Sequence, residues 1–323
     1  MKLIFSVFIA AFYGLAIRLL FDLFDSGISV MGISFFFLVP FIIGYITITL
    51  LRYKEGQSAS IAFFKATLPF LVLFFITVYY NIEGSVCWLM ALPPMAFSAG
   101  IGGVVAFSRK KKRYMRKIEF DFEKEDRKNP GGLKISLLFI VPLLAGAIEG
   151  ERLSSTQYLT VKKELTVSAS PDSVWNALVS SRRVTTVKQQ GALSNFFGFP
   201  QHLYTTLDSA APGGERIAAY EKGLTFKEII TDIEPGKHMV VAVTANASDI
   251  SKAIMDEHIV IGGKHVQMQE DEYTLEPTPG GGTRVILSSK FSIHTPFNWY
   301  AGIWGRMLMK DILSEELQSL KPI

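Results

Sequence analysis

The sequence predicts a chain of two parts. The first is an all-α transmembrane bundle of about five spans. The second is an α+β domain in which a seven-stranded antiparallel sheet wraps a long C-terminal helix. Three observations predict this. Apolar runs of bilayer length recur through the first 150 residues. From Tyr158 the pattern changes to strand-like alternation broken by Gly and Pro turns. Charge is also divided unevenly between the two parts.

Of 323 residues, 49% are hydrophobic and 19% charged, against roughly 25% charged in an average soluble protein. With a mean hydropathy of +0.29, this excludes a disordered chain and argues against one soluble globular domain. The length allows about two domains. One cysteine, Cys87, excludes an intrachain disulfide framework and any multi-cysteine metal site. A formal charge of +4 and a pI near 8.9 raise the question of nucleic acid, so the position of the charge matters. Residues 1–108 hold five basic and four acidic side chains, residues 109–150 eleven and six, and residues 151–323 seventeen and nineteen. The excess is one short segment beside an apolar block, followed at once by Glu119, Asp121, Glu123, Glu125 and Asp126. No nucleic-acid partner is expected.

Four apolar stretches, near Leu3–Phe21, Val30–Leu51, Ile61–Tyr80 and Val86–Phe107, fit bilayer spans of ~20 residues. The first is longer than a signal-peptide core and is followed by more spans, so it reads as uncleaved. A fifth, Ile135–Ile148 with Leu133, is short for a ~30 Å hydrocarbon core but can span with local thinning. The domains are therefore 1–108 (four spans), 109–132 (a basic cytoplasmic loop), 133–150 (the fifth span) and 155–323. Basic loops after the second and fourth spans alternate with acidic or neutral ones after the first and third. That is the positive-inside pattern, with the N-terminus and the basic run Arg109, Lys110, Lys111, Lys112 and Arg113 cytoplasmic. The run is a topology determinant that also suits anionic headgroups. If the fifth stretch crosses, all that follows is extracytoplasmic.

Charge inside the spans is sparse. Arg18 can pair with Asp22 one turn on, and Arg18 and Lys65 can both snorkel. No acid sits in mid-span, which argues against proton-coupled transport. Ala96, Ser98, Gly100 and Gly102 permit close helix contact.

In the second part, Leu159–Ala169 alternates, with a parity slip around Lys162–Glu164. Ser170-Pro171-Asp172 supplies a cap, a first-turn proline and an acid for the helix dipole, and Val174, Trp175, Leu178 and Val179 form the apolar stripe. A partly helical stretch runs to about Gly198. Strands then follow at Leu203–Leu207, Arg216–Glu221, Leu224–Ile233, His238–Thr244, Val266–Leu275 and Thr283–Ile293, separated by turn residues. A polar excursion lies at Asn246–Asp256. A helix over about Asn298–Leu320 closes the chain. A curved sheet wrapped on one helix leaves space for a cavity.

The segments Thr160-Val161-Lys162-Lys163-Glu164 and Ser170-Pro171-Asp172-Ser173-Val174-Trp175-Asn176-Ala177-Leu178 resemble the opening of SRPBCC (START-like, polyketide cyclase/dehydrase-type) helix-grip domains. The turn Glu234-Pro235-Gly236-Lys237, Tyr273-Thr274-Leu275-Glu276-Pro277, Gly282-Thr283-Arg284-Val285 and the final helix match as well. Asp256-Glu257-His258 with Gly262-Gly263, and Phe297–Trp304, are similar to a bacterial branch of that superfamily. The resemblance covers about 155–320 and implies a helix-grip fold in a bacterial-type plasma membrane protein. It assigns no universal catalytic residue. The membrane half resembles no named family.

Five histidines lack metal-ligand spacing, no phosphate loop follows a strand, and no nucleophile elbow is present. No metal or cofactor is expected. Glu228 shares strand parity with Leu224, Phe226 and Ile230, so it reads either as an inward acid or as an outward glutamate. Asp256-Glu257-His258 reads as a polar cluster with His294 or Asn298 at a cavity mouth, or as a loop anchor. Trp299, Tyr300 and Trp304 suit a ligand, the membrane surface or core packing. The residues assigned to a ligand cavity are Phe226, Glu228, His258, Tyr273, Phe291, His294, Asn298, Tyr300 and Trp304. Glu228 or His258 is the candidate acid–base residue. The expectation is membrane-anchored binding of a lipid or other hydrophobic small molecule. A cyclase- or dehydratase-type enzyme and a module docking a membrane protein partner are the alternatives.

Overall fold

The computed structural model describes residues 2–23, 32–53, 57–80, 82–119, 133–149, 153–180, 182–183, 200–245 and 261–318. The chain divides into two compact units, one helical and one built on a sheet, with the change at Ser154–Ser155.

The helical unit holds α1 (Lys2–Leu23), α2 (a π turn Ser34–Leu38 continuing as Val39–Leu50), α3 (Ala59–Tyr79), α4 (Ser85–Glu119) and α5 (Leu133–Glu149). Small residues set its packing. A Cβ on Gly44 of α2 would fall 1.9 Å from the Ala99 carbonyl oxygen of α4, and one on Gly102 of α4 would fall 1.9 Å from the Phe41 carbonyl oxygen of α2. The two backbones therefore touch at two levels, as close packing of small residues allows. Gly103 meets α3 in the same way, with 2.5 Å between a built Cβ and that of Ala66.

Polar contacts gather at the two ends of this bundle. At one end Arg18 Nε donates to Glu83; the expected pairing of Arg18 with Asp22 falls outside the described side chains. There too Phe21 and Phe35 meet at 5.1 Å, and Ser34 donates from its backbone N and its Oγ to Glu149 Oε2 at 3.0 and 3.1 Å. At the other end Lys110 donates to the carbonyls of Ile48, at 2.9 Å, and Leu51, closing the C-terminus of α2. Arg109 donates to Tyr45 Oη at 3.2 Å.

Three helices among the described residues are long and apolar enough to cross a membrane: Lys2–Phe21, Ala59–Tyr79 and Cys87–Arg116. Five spans were expected. The other two apolar helices are shorter; α5 has 17 residues, or ~26 Å at ~1.5 Å per residue. The basic run was expected in a loop, but α4 continues to Glu119 and Arg109–Arg113 are helical. Lys, Arg and Met, broken here only by Tyr114, favour continuation of a helix already begun.

The sheet unit holds β1 (Ser155–Val167), α6 (Pro171–Val179), β2 (Arg182–Arg183), β3 (His202–Leu207), β4 (Glu215–Tyr220), β5 (Thr225–Glu234), β6 (His238–Ala245), β7 (Val266–Pro277), β8 (Thr283–Thr295) and α7 (Asn298–Gln318). The strands form one antiparallel sheet in the order β1-β8-β7-β6-β5-β4-β3-β2, with α7 packed on β1 and β8. The seven expected strands are present. The eighth, β2, is a two-residue edge pair on β3, too short to leave a periodic signal. The expected helical stretch to Gly198 and the excursion at 246–256 fall largely outside the described residues.

Alternation explains the strands. In β1, Leu159, Val161 and Val167 are buried, with Lys163 and Leu165 half-buried between them. The register with β8 runs without a shift from Ser155↔Thr295 to Val167↔Thr283. The parity slip expected at Lys162–Glu164 is therefore absent: Lys163 holds an inward position, where its aliphatic stem can cover apolar surface. Ser170 accepts from Ser173 N at 3.4 Å and starts α6. Gly236, at φ 79°, makes the β5–β6 turn, a conformation that favours glycine. Register shifts between Ile230 and Asp232 and between Met268 and Glu270 add twist and bend the strands. The inward face then packs on Met309, Leu313 and Leu317 of α7. This is a helix-grip arrangement.

Candidate functional site

Between α7 and the middle strands lies a cavity of about 70 Å³. That is room for about five waters, at about 10–15 Å³ each, or for a small organic group. Its apolar wall includes Ala218 and Tyr220 of β4, Phe226 of β5, Met268 of β7, and Met309 and Leu313 of α7. Its polar wall is made by His202 of β3, Arg216 of β4, Glu228 of β5, Asp271 and Tyr273 of β7, and Glu316 of α7.

Arg216 is the centre of that wall. It stands directly across from Glu228 in the β4–β5 ladder, and only 2% of it is exposed, against 5% of Glu228. Arg216 Nη1 donates to Glu228 Oε2 at 2.6 Å and to Tyr273 Oη at 3.2 Å, and the guanidinium lies 5.4 Å over the Tyr273 ring. Arg216 Nη2 is 3.6 Å from Glu316 Oε1. Glu316 in turn takes His202 Nδ1 at 2.8 Å through Oε2, and His202 stacks on Tyr220 at 4.7 Å. One chain of contacts thus ties β3, β4, β5, β7 and α7 together.

The electrostatics follow from burial and from the excess of acid over base. Burial works against the charge on Arg216, but Glu228, Tyr273 and Glu316 outweigh it, and the guanidinium holds its proton more tightly than usual. Burial raises Glu228, an effect countered by Arg216 and reinforced by Glu316, and the net shift is upward. Burial, followed by the negative Glu228, pushes Asp271 up to about 7. The Asp271 carboxyl therefore changes protonation near neutral pH, at the wall of a largely apolar space. A carboxyl so placed can donate or accept a proton, and the Arg216–Glu228 pair can orient a polar group beside it.

Of the residues assigned to a cavity from sequence, Phe226, Glu228 and Tyr273 line this one. The others do not come together there. Phe291 is 1% exposed in the core, and its ring packs against Gly305, with 3.1 Å from a built Cβ. His294 Nδ1 contacts Thr156 Oγ1 at 3.0 Å, away from the cavity. Asn298 accepts from Thr295 N at 3.0 Å and donates to the Ser155 carbonyl at 2.7 Å, which fixes the corner between β8 and α7. Tyr300 and Trp304 are half-buried on the first turns of α7 and do not line the cavity. His258 lies outside the described residues, together with Asp256 and Glu257. Arg216, Asp271, Glu316 and His202 were not singled out from sequence. Strand parity was the available signal: Arg216 alternates with Ala218 and Tyr220, and Asp271 with Tyr273 and Leu275. Among the described residues, no three His, Cys, Asp or Glu side chains are grouped to hold a metal ion.

No family model and no curated protein matches this chain. Solved structures similar to it include an uncharacterized protein from Rhizobium leguminosarum, at 18% identity and a TM-score of 0.30, covering 50% of this chain and 97% of that one. Another from Rhizobium loti has 18% identity and a TM-score of 0.27, covering 50% and 99%. A norcoclaurine synthase from Thalictrum has 13% identity and a TM-score of 0.31, covering 52% and 94%. These neighbours are helix-grip folds. At such scores they assign no residue role here, and the grip is read from the strand order itself.

Proposed function

We propose that this chain is a membrane-anchored protein whose C-terminal domain, a member of the SRPBCC superfamily, binds a small organic molecule between α7 and the sheet. The observation that carries the reading is the pairing of an apolar cavity with a buried polar wall centred on Arg216 and Glu228. Such a site takes a ligand with an apolar body and one polar group. The apolar body is favoured by ~25 cal/mol per Å² removed from water, and the polar group is held by fixed hydrogen-bond partners. At about 70 Å³ the cavity suits a compact molecule; a long acyl chain would require α7 to move outward.

Five spans remain the proposed topology, with α2 and α5 crossing as short helices in a thinned bilayer. The contact of Ser34 with Glu149 supports it, since it joins the start of α2 to the end of α5. Basic residues at the α4 end favour a cytoplasmic placement there. The C-terminal domain is then extracytoplasmic in a bacterial-type plasma membrane. A reporter fused after Gln318 that is active only inside the cell would overturn that placement.

Native mass spectrometry of the detergent-extracted full chain tests ligand binding. A small-molecule adduct is expected on the wild type and is expected to be lost from Ala218→Leu, which fills the cavity. No adduct on the wild type under gentle ionisation, or equal retention by the variant, would sink the reading. A second reading, proton-transfer chemistry, is favoured by Asp271 near 7. It makes Asp271 the acid–base group in place of Glu228 or His258.

A further inference from the structure

The first three turns of α7 carry an apolar face that the domain does not use. Trp299, Ile303 and Met307 recur at i, i+4 and i+8 and are 67%, 55% and 39% exposed. Arg306 and Lys310 are exposed beside them. At ~100° per residue these five side chains fall within about 100° of arc. Over the same turns the inward residues Gly302 and Met309 sit to one side of that arc; further along the helix Leu313 and Leu317 bring its edge and centre into the core. Between Asn298 and Lys310 there is no acidic residue; Asp311 is the first. The remainder of the soluble half is net acidic, so this basic and aromatic strip stands apart from its surroundings.

We infer that this face of α7 docks on a bilayer surface carrying anionic headgroups. Three observations select that occupant. The composition is that of an interfacial helix: a large amphipathic ring and aliphatic side chains, flanked by Arg and Lys. The positive flank complements lipid phosphate rather than an acid-poor apolar partner. The chain itself also restricts the choice. Asn298, at the head of α7, donates to the carbonyl of Ser155, and five residues separate Ser155 from Glu149, the last residue of α5. The domain that carries α7 is thereby tethered through a short stretch of chain to an apolar helix. The inference rests on the membrane-anchored reading through that last point alone.

The test is nitroxide labelling of the full chain in a Cys87→Ser background, reconstituted in vesicles containing phosphatidylglycerol. One label is placed at Ile303→Cys and a reference label at Thr166→Cys, an exposed position on β1. The label at 303 is expected to be severalfold more accessible to oxygen than to a water-soluble nickel chelate, while the label at 166 favours nickel. Vesicles of phosphatidylcholine alone, or the pair Arg306→Glu with Lys310→Glu, are expected to return the 303 label to nickel. Equal nickel accessibility at 303 and 166 in the anionic vesicles overturns the inference. So does protection at 303 that persists in monodisperse detergent, which would mean packing on the protein's own helices, or protection that rises with protein density, which would mean a second copy. The topology reporter is a separate readout, so a failure of the five-span reading is distinguishable from a failure of docking.

Discussion

Arg216 and Glu228 face each other across β4 and β5, joined at 2.6 Å with almost no exposure to solvent. A buried ion pair is weak evidence of stability, because desolvating two charges costs about as much as their attraction returns. Its value here is positional. The pair fixes where a charge sits at the wall of a cavity, and Tyr273 and Glu316 complete its surroundings.

Removing one partner is therefore more damaging than removing both. Glu228→Gln leaves Arg216 buried without its carboxylate and is expected to destabilise the sheet unit by about 3 kcal/mol. The double change Arg216→Met with Glu228→Leu is expected to recover most of that loss. Denaturant midpoints followed by circular dichroism check both. A single variant no less stable than the double one would contradict the pairing.

The sign of the Asp271 effect is worked out from its shift. Its folded value, about 7, lies above the ordinary carboxyl value of ~3.9, so between those limits the folded state binds more protons than the unfolded one. The stability contributed by this proton is complete below about pH 4 and is lost as pH rises through about 7. The loss is a few kcal/mol in order of magnitude. Asp271→Asn is expected to flatten the pH dependence of stability across that window. A profile unchanged by the substitution would remove Asp271 from the titration.

Gly44 and Gly102 allow α2 and α4 to touch. Gly44→Ala places a methyl 1.9 Å from the Ala99 carbonyl oxygen, so the helices have to separate. Overpacking of this kind costs about 1–3 kcal/mol. The detergent melting temperature of the helical unit is expected to fall, whereas Gly213→Ala, with nothing within 4 Å of its Cβ, leaves the helical unit unaffected.

Asn298 is a structural bracket. Asn298→Ala removes its bonds to Thr295 and Ser155 and is expected to cost about 1 kcal/mol while leaving any cavity adduct in place. Loss of the adduct at unchanged stability would return Asn298 to the ligand site.

Much of the sheet unit was legible because antiparallel strands with one buried face alternate visibly. All seven long strands fall within a few residues of their expected limits, and Glu228 shows its inward parity directly. The cavity's polar wall was only half legible. Each member sits at an inward position of its own element, but nothing in the linear chain says that Arg216 lies across from Glu228, or that Glu316 arrives from α7 to meet His202. Those neighbours are set by strand order. His294 and Asn298 misled for the converse reason: polar residues at the end of a strand resemble a cavity mouth, yet here His294 contacts the Thr156 hydroxyl and Asn298 satisfies backbone groups at a corner. In the helical unit, hydropathy located every described helix. It did not point to Glu83 as a partner of Arg18, because the two are 65 positions apart.

The pairing of β1 with β8 has a consequence for how the domain comes into being. Ser155 and Thr295 are neighbours across the sheet although they stand near opposite ends of the domain's sequence. The strands β3 to β8 each pair with the next in sequence and can form from comparatively local contacts as they emerge from the ribosome. β1, the first strand synthesised, has to wait for the last one. Pairing over such a separation is slow, and until it forms, a thirteen-residue strand presents an open edge able to join another chain. A chain terminated anywhere before β8 would keep that edge permanently, so premature truncation is expected to yield aggregates rather than a smaller folded domain.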